Sequence, residues 1–252
     1  MSIAALGTPR VHYRAVDSTN LVARRLVEAG APHGTLVTAA EQTAGRGRQG
    51  RAWAAPAGSS VLMSLVLRGP APLLSLAAGV AVAETAGAFG AVDVAIKWPN
   101  DVWVGGAKVA GILVEGRPQE DWAVLGIGVN VAIAPDEFPP ELRGRATSLG
   151  LDRGLDRDRT APGALEAVLA TLLERLSVWT GAPDVEVLAA LGARDALRGR
   201  PIAWAEGGSV GTAAGIDREG RLLVDTAAGR VALDAGEVHL SLAGLEFSDS
   251  VQ

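Results

Sequence analysis

From Gly199 onward the chain stops reading as long elements and becomes a series of short β-like runs, PIAWAEG, SVGTAAGID, RLLVDT, GRVALD and GEVHLS, parted by Gly or Asp-Arg-Glu-Gly turns. Runs this short between tight turns are strands, and five in succession suggest a small β-barrel. The change of pattern sets a domain boundary near residue 197. Residues 1–197 then form one unit, 198–246 a small β domain, and 247–252 a frayed tail.

In the first unit strands and helices interleave. Val11 to Val16 reads as a strand, and Asp17-Ser18-Thr19-Asn20 offers several N-caps for a helix through Leu21, Val22, Leu26 and Val27 to Gly30. Further strands are expected at Thr35–Ala40, Ser60–Leu67, Val94–Trp98 and Trp122–Val131, with a hairpin turning at Gly105-Gly106. Helices are expected at Pro72–Phe89, 162–179 and 184–197, and a Pro, Arg and Asp-rich connection runs from Pro135 to Arg159. The fold class is therefore α/β (α+β), a mixed sheet with helices followed by a small barrel.

A chain of 252 residues that is 48% hydrophobic can bury a core of its own. Without Cys it has no disulfide framework, no thiolate zinc site and no Cys nucleophile. A net charge of -5 provides no general attraction to polyanions, so a nucleic-acid partner is not expected. Met1 to Pro9 does not resemble a signal peptide. The longest uncharged stretch, Ala52 to Leu67, holds Pro56 and Gly58, whereas a membrane span needs about 20 predominantly apolar residues. A soluble cytoplasmic protein without a membrane partner is expected.

Only two of the 23 basic residues are lysine, Lys97 and Lys108, and they lie close together. A bias toward Arg explains the scarcity of lysine but not its placement. An ammonium is more compact than a guanidinium and has a more tunable pKa, so a site can require it.

Between two strands, EQTAGRGRQGR at 41–51 has no apolar period and too much glycine for a stable element, so a long mobile loop is expected. Its alternation of glycine and arginine suits an anion clamp, with freed backbone amides and guanidinium forks that pair with carboxylate or phosphate oxygens. The same composition also suits a solvated or RNA-binding tract. Lys97-Trp98-Pro99-Asn100-Asp101 places a cation, an amide and a carboxylate at a strand end, where Pro99 forces the chain out of the sheet; it also reads as an ordinary turn. Lys108 opens an otherwise apolar strand in which Gly111 allows close approach, or it is an edge charge. Asn130 closes the buried run Gly126 to Asn130 as a ligand or as a turn residue.

The series DSTN, EQTAGRGRQGR, KWPNDV, GGAKVAGILVE and GIGVNV over residues 17–131 closely resembles the catalytic domain of biotin protein ligases. The barrel at about 199–243 is similar to that family's SH3-like C-terminal domain, so the resemblance covers nearly the whole chain. Only 16 residues precede Asp17, leaving no room for the winged helix of the family's repressor members, and Gln49 stands where Arg is common.

The resemblance implies activation of biotin by ATP to biotinyl-5'-adenylate, then transfer to a lysine of a biotin carboxyl carrier domain. Mg²⁺ would be carried by the phosphates, and the protein would be a monomer or weak homodimer. Lys108, Arg48 and Asp101 are implied as catalytic. Ser18, Thr19, Asn20, Gln42, Gly45, Arg46, Gly47, Arg48, Lys108 and Gly111 are implied around biotin. Arg46, Arg48, Trp53, Lys97, Asn100, Lys108 and Asn130 are implied around ATP, with Trp53 either stacking on adenine or packing in the core. The arginine loop would order over the intermediate and shield it from water. Competing readings are a lipoate or octanoate ligase of the same fold and a nucleic-acid module built on the arginine loop.

Overall fold

The computed structural model describes residues 6–117, 119, 121–150, 162–205, 208–234 and 238–240. The first unit contains β1 (Arg10–Tyr13), α1 (Thr19–Glu28), β2 (Leu36–Ala39), β3 (Ser60–Arg68), α2 (Leu74–Ala88), β4 (Val94–Lys97), β5 (Asp101–Val104), β6 (Ala107–Arg117), β7 (Trp122–Asn130), α3 (Pro162–Trp179) and α4 (Asp184–Gly192). Then come β8 (Pro201–Trp204), β9 (Ser209–Ile216), β10 (Leu222–Thr226), β11 (Gly229–Leu233) and β12 (Val238–Leu240).

The first seven strands form one mixed sheet in the order β1-β2-β3-β7-β6-β5-β4, in which β1 and β2 are parallel and every other pair is antiparallel. The last five form an antiparallel sheet in the order β11-β10-β9-β8-β12. As expected, β5 and β6 turn at Gly105-Gly106, whose φ values of 57° and 83° are left-handed and suit glycine.

Strand alternation decides what each face of the large sheet meets. Val61, Met63, Leu65 and Leu67 of β3, with Leu125, Ile127 and Val129 of β7 and Ala110 and Ile112 of β6, join the main core with α2, α3 and α4. Helix α2 is apolar around its whole circumference because it lies between the sheet and the two later helices. On the opposite face α1 buries Val22, Ala23 and Val27 against Val37, Val66 and Val124. Helix α1 is short and covers one end of that face; the other end forms the wall of a cleft.

Two expectations change. The last helix ends at Gly192, not at 197, because the following chain joins the sheet edge: Ile96 N–H donates to Arg194 O (2.7 Å) and Ala196 N–H to Ile96 O (3.0 Å). The loop expected to have too much glycine for a stable element is folded back on itself, since Gly47 N–H donates to Arg51 O (2.7 Å) and Trp53 N–H to Gly45 O (2.9 Å) around a turn at Gln49 and Gly50 with positive φ. Most of the 135–159 connection expected after β7 is described only as far as residue 150, and the expected tail at 247–252 lies outside the described residues. No helix among the described residues is long and apolar enough to cross a membrane.

Candidate active site

The uncovered end of the sheet floors a cavity of about 990 Å³. The residues facing it follow from the two-residue period of the strands. Beyond Val124, β7 presents Gly126, Gly128 and Asn130, while β6 presents Leu113 and Gly111, with Glu115 in step with them further along the strand, against Asn20 and Arg46. Glycine is needed here to leave space above the sheet. A Cβ at Gly126 would collide with Asn20 Oδ1. A Cβ at Gly128 would stand 2.5 Å from Trp53 Cε2, and one at Gly111 3.0 Å from Trp53 Cζ3. The Trp53 indole therefore lies on two facing glycines, and its Nε1 is buried without a hydrogen-bond partner.

Lys108 reaches this floor through a β-bulge. Val102 pairs with Ala110 but Trp103 pairs with Lys108, so β6 carries one extra residue, Val109, at that point. An extra residue exchanges the two faces, and Lys108 joins Gly111 on the cavity side instead of Ala110 in the core. The Lys108 backbone is held from the other side as well: its N–H donates to Arg145 O (2.8 Å) and its carbonyl accepts from Thr147 N–H (2.8 Å). Its Nζ is 2.7 Å from Asp101 Oδ1 and 5.7 Å from the centre of the Trp53 ring.

At the turn after β4, Asn100 holds the arginine loop to the sheet. Its Nδ2 donates to Ile112 O (3.0 Å), and its Oδ1 accepts from Arg48 Nη1 (3.1 Å). Both ends of the amide are thus engaged, so Asn100 orients Arg48 in this state. Asn130 similarly spends its Nδ2 on Thr147 O (3.0 Å), and among the described residues no donor is bonded to its Oδ1.

The far end of the cavity is closed by the start of α1. Ser18 occupies the N-cap without a side-chain cap bond, so its hydroxyl is not consumed by the helix. Gln42 Oε1 accepts from Thr19 N–H (2.7 Å) and lies 3.0 Å from Thr19 Oγ1. Beneath them Ser64 Oγ is 2.8 Å from Thr19 Oγ1 and 2.6 Å from Asn20 Oδ1. Asn20 Nδ2 donates to Glu115 Oε2 (2.8 Å), and Glu115 Oε1 pairs with Arg46 Nη1 (3.1 Å).

The electrostatics are one-sided. Lys97, whose Nζ lies 5.4 Å from the centre of the Trp103 ring, is held below the usual lysine range. Burial is the main cause; Asp101 opposes it, while Lys108, Arg51 and Arg145 add to it. Arg48 is also lowered, again chiefly by burial, with Asp101 opposing and Arg51 adding. Cations crowd a partly desolvated wall that Asp101 and Glu115 together do not balance, an arrangement suited to a polyanion.

Every site residue expected from the sequence lines the cavity except Gly45. Gly45 is buried behind the wall, where a Cβ would collide with Trp53 O and stand 3.0 Å from Gln42 Nε2. Its role is to let the loop close. Sequence reasoning missed Glu115, Ser64 and Arg145. A carboxylate in the apolar run of β6, in step with Gly111 and Leu113, was the available signal for Glu115; Ser64 and Arg145 carried none.

This sheet and site define a class, and the chain matches it: the Biotin/lipoate A/B protein ligase family model covers residues 12–131, and the Biotin protein ligase C terminal domain model covers 199–241. The biotin–[acetyl-CoA-carboxylase] ligase of Paracoccus denitrificans is 39% identical over 241 residues, covering 88% of this chain and 96% of that one. The bifunctional ligase/repressor BirA of Bacillus spizizenii is 36% identical over 248 residues, covering 93% and 75%. The biotin protein ligase of Aquifex aeolicus, solved in complex with biotin and ATP, superposes with a TM-score of 0.75 at 29% identity, covering 93% and 100%. The chain belongs to the biotin protein ligase family.

Proposed function

We propose that this protein activates biotin with ATP to biotinyl-5'-adenylate and transfers the biotinyl group to a specific lysine of a biotin carboxyl carrier domain. The observation that carries this reading is the convergence of Arg46, Arg48, Lys97 and Lys108 on one glycine-floored cavity with a polar cap at its far end.

In the first step a biotin carboxylate oxygen attacks the α-phosphorus while the bond to the bridging oxygen of the β-phosphate breaks, releasing pyrophosphate. Two anions must approach each other, and Lys108, Arg46 and Arg48 are suited to neutralise them and the charge that builds between them. Lys97 is suited to the leaving polyphosphate. Magnesium would arrive bound to the phosphates; among the described residues no three His, Cys, Asp or Glu side chains gather to hold it. In the second step the acceptor amine attacks the acyl carbon and AMP leaves with the electron pair. Asp101, next to Lys108, is suited to orient the amine and receive its proton. The Ser18, Thr19 and Gln42 cap suits the ureido head of biotin, and Trp53 with the open Asn130 Oδ1 suits adenine.

We assign residues 1–197 to the catalytic unit and 198–246 to the β domain. The two family-model matches support this division, and Arg200, Val238 and Leu240 of the second sheet also line the cavity. The C-terminal sheet and arginine loop favour biotin over lipoate or octanoate. The net charge of -5 disfavours operator DNA as a partner. A cytoplasmic monomer or weak homodimer completes the reading.

Biotin-dependent exchange of labelled pyrophosphate into ATP tests the activity; no exchange by the intact protein with biotin and Mg-ATP overturns it. Nucleic-acid affinity that falls steeply with salt would favour the competing module built on the arginine loop, whereas sequence-specific DNA binding that strengthens with biotin and ATP would overturn the reading of a dedicated ligase.

A further inference from the structure

We propose that Glu115, acting through Asn20 and Ser64, fixes the Thr19 hydroxyl as a hydrogen-bond acceptor toward the ligand, making Glu115 a positioning residue that selects a head group bearing an N–H donor. The proposal deepens the biotin reading and rests on it.

The argument is an accounting of protons along the relay. Glu115 is ion-paired with Arg46 and is therefore a carboxylate, which accepts hydrogen bonds and donates none. Asn20 must present its Nδ2 to Glu115, at 2.8 Å, and this turns Asn20 Oδ1 toward Ser64. The Ser64 hydroxyl has one proton, and the 2.6 Å contact commits it to Asn20 Oδ1. Ser64 can then only accept from Thr19, 2.8 Å away. The Thr19 proton has two acceptors within reach, Ser64 Oγ and Gln42 Oε1, the latter at 3.0 Å. In either position no described residue donates to Thr19 Oγ1, so its lone pairs remain for a ligand.

The relay is fixed in place by burial. Asn20 and Ser64 are 4% and 0% exposed, and Gly126 supplies the space that the Asn20 amide fills. Water has little access to repair a wrong polarity, so a head group that offered only acceptors here would leave facing lone pairs. A cyclic urea supplies the missing N–H. A cyclic carbonate of the same shape does not.

The Glu115→Gln substitution keeps the size but allows residue 115 to donate. The Asn20 amide is then free to turn over, Ser64 regains its proton, and that proton can be directed at Thr19 Oγ1, which blocks the acceptor. Adding Ser64→Ala removes the one hydroxyl among the described residues able to do this, so the double variant should regain the original polarity.

Calorimetric titration of the full chain without ATP, using biotin and a biotin analogue whose two ring N–H groups are replaced by oxygen, reads the effect as a ratio of dissociation constants. The wild type should prefer biotin by about 10-fold or more, the scale of a hydrogen bond lost in a buried site. Glu115→Gln should reduce the preference several-fold, and Glu115→Gln with Ser64→Ala should restore it. Loss of the Arg46 partner weakens both ligands alike and cancels in the ratio. An unchanged ratio in Glu115→Gln, or no recovery in the double variant, overturns the proposal. If the wild type binds no biotin, the biotin reading itself fails, a separate result visible before any variant is made.

Discussion

Gly111 and Gly128 face each other across the β6–β7 ladder, and their two missing side chains form the seat of the Trp53 indole. Neither strand could carry even alanine at this point without moving the ring. The aromatic residue thus bridges the loop that bears the arginines and the sheet that bears Lys108.

The Gly128→Ala variant should displace Trp53, because the new methyl would stand 2.5 Å from Cε2 and 2.7 Å from Cζ2. Overpacking of this kind costs about 1–3 kcal/mol. The expected result is a lower melting temperature and a change in tryptophan emission that disappears when Trp53→Phe is also present. Equal emission changes in both backgrounds would show that the indole was not seated there.

Both Lys108→Ala and Lys108→Arg should lose most adenylation, on the order of 100-fold to 1000-fold in rate, as for removal of a preorganised charge contact. The arginine variant is the more informative, since it keeps the charge but places a planar fork beside Gly111, where Nζ is 3.2 Å from the position of a Cβ. Pyrophosphate exchange near the wild-type rate in Lys108→Arg would refute the need for a compact cation.

Lys97 should give ATP binding an alkaline limit below that of an ordinary lysine. Its pKa is lowered mainly by burial, so the folded chain holds the proton less tightly than the unfolded chain. Stability therefore rises with pH between the folded and unfolded values, whereas attraction for phosphate is complete below the folded value and is lost as pH rises through it. Polyphosphate raises the pKa again and draws in a proton. Calorimetry in buffers of different ionisation enthalpy should show this uptake for the wild type and not for Lys97→Arg; identical uptake in both would assign it to another group.

The Asn100→Ala variant should release Arg48 from its 3.1 Å contact and loosen the loop from the sheet. Amide hydrogen exchange at residues 46–52 should rise in the free protein and fall again with biotin and ATP bound, where the ligand replaces the lost anchor. Unchanged exchange in the variant would mean that the internal bonds of the loop suffice.

Local physics made much of this molecule legible before any contact was known. Tight turns and short apolar runs set apart the last five strands, and Gly105-Gly106 announced its hairpin, because steric preferences act within a few residues. Alternation in the run Gly126 to Asn130 placed glycines and an amide on one face and Ile127 and Val129 on the other. Lys108 needed more than alternation: simple counting puts it in step with Ala110 and Ile112 in the core, and only the bulge opposite Val102 and Trp103 turns it toward the ligand cavity. The partnership of Asn20 with Glu115, 95 positions apart, and the seat of Trp53 on two glycines depend likewise on which strands lie side by side. Period and turn chemistry are properties of a short stretch of chain, while register, bulges and buried polar partners are settled by pairing across the sheet, where the free energy depends on residues the local sequence does not contain.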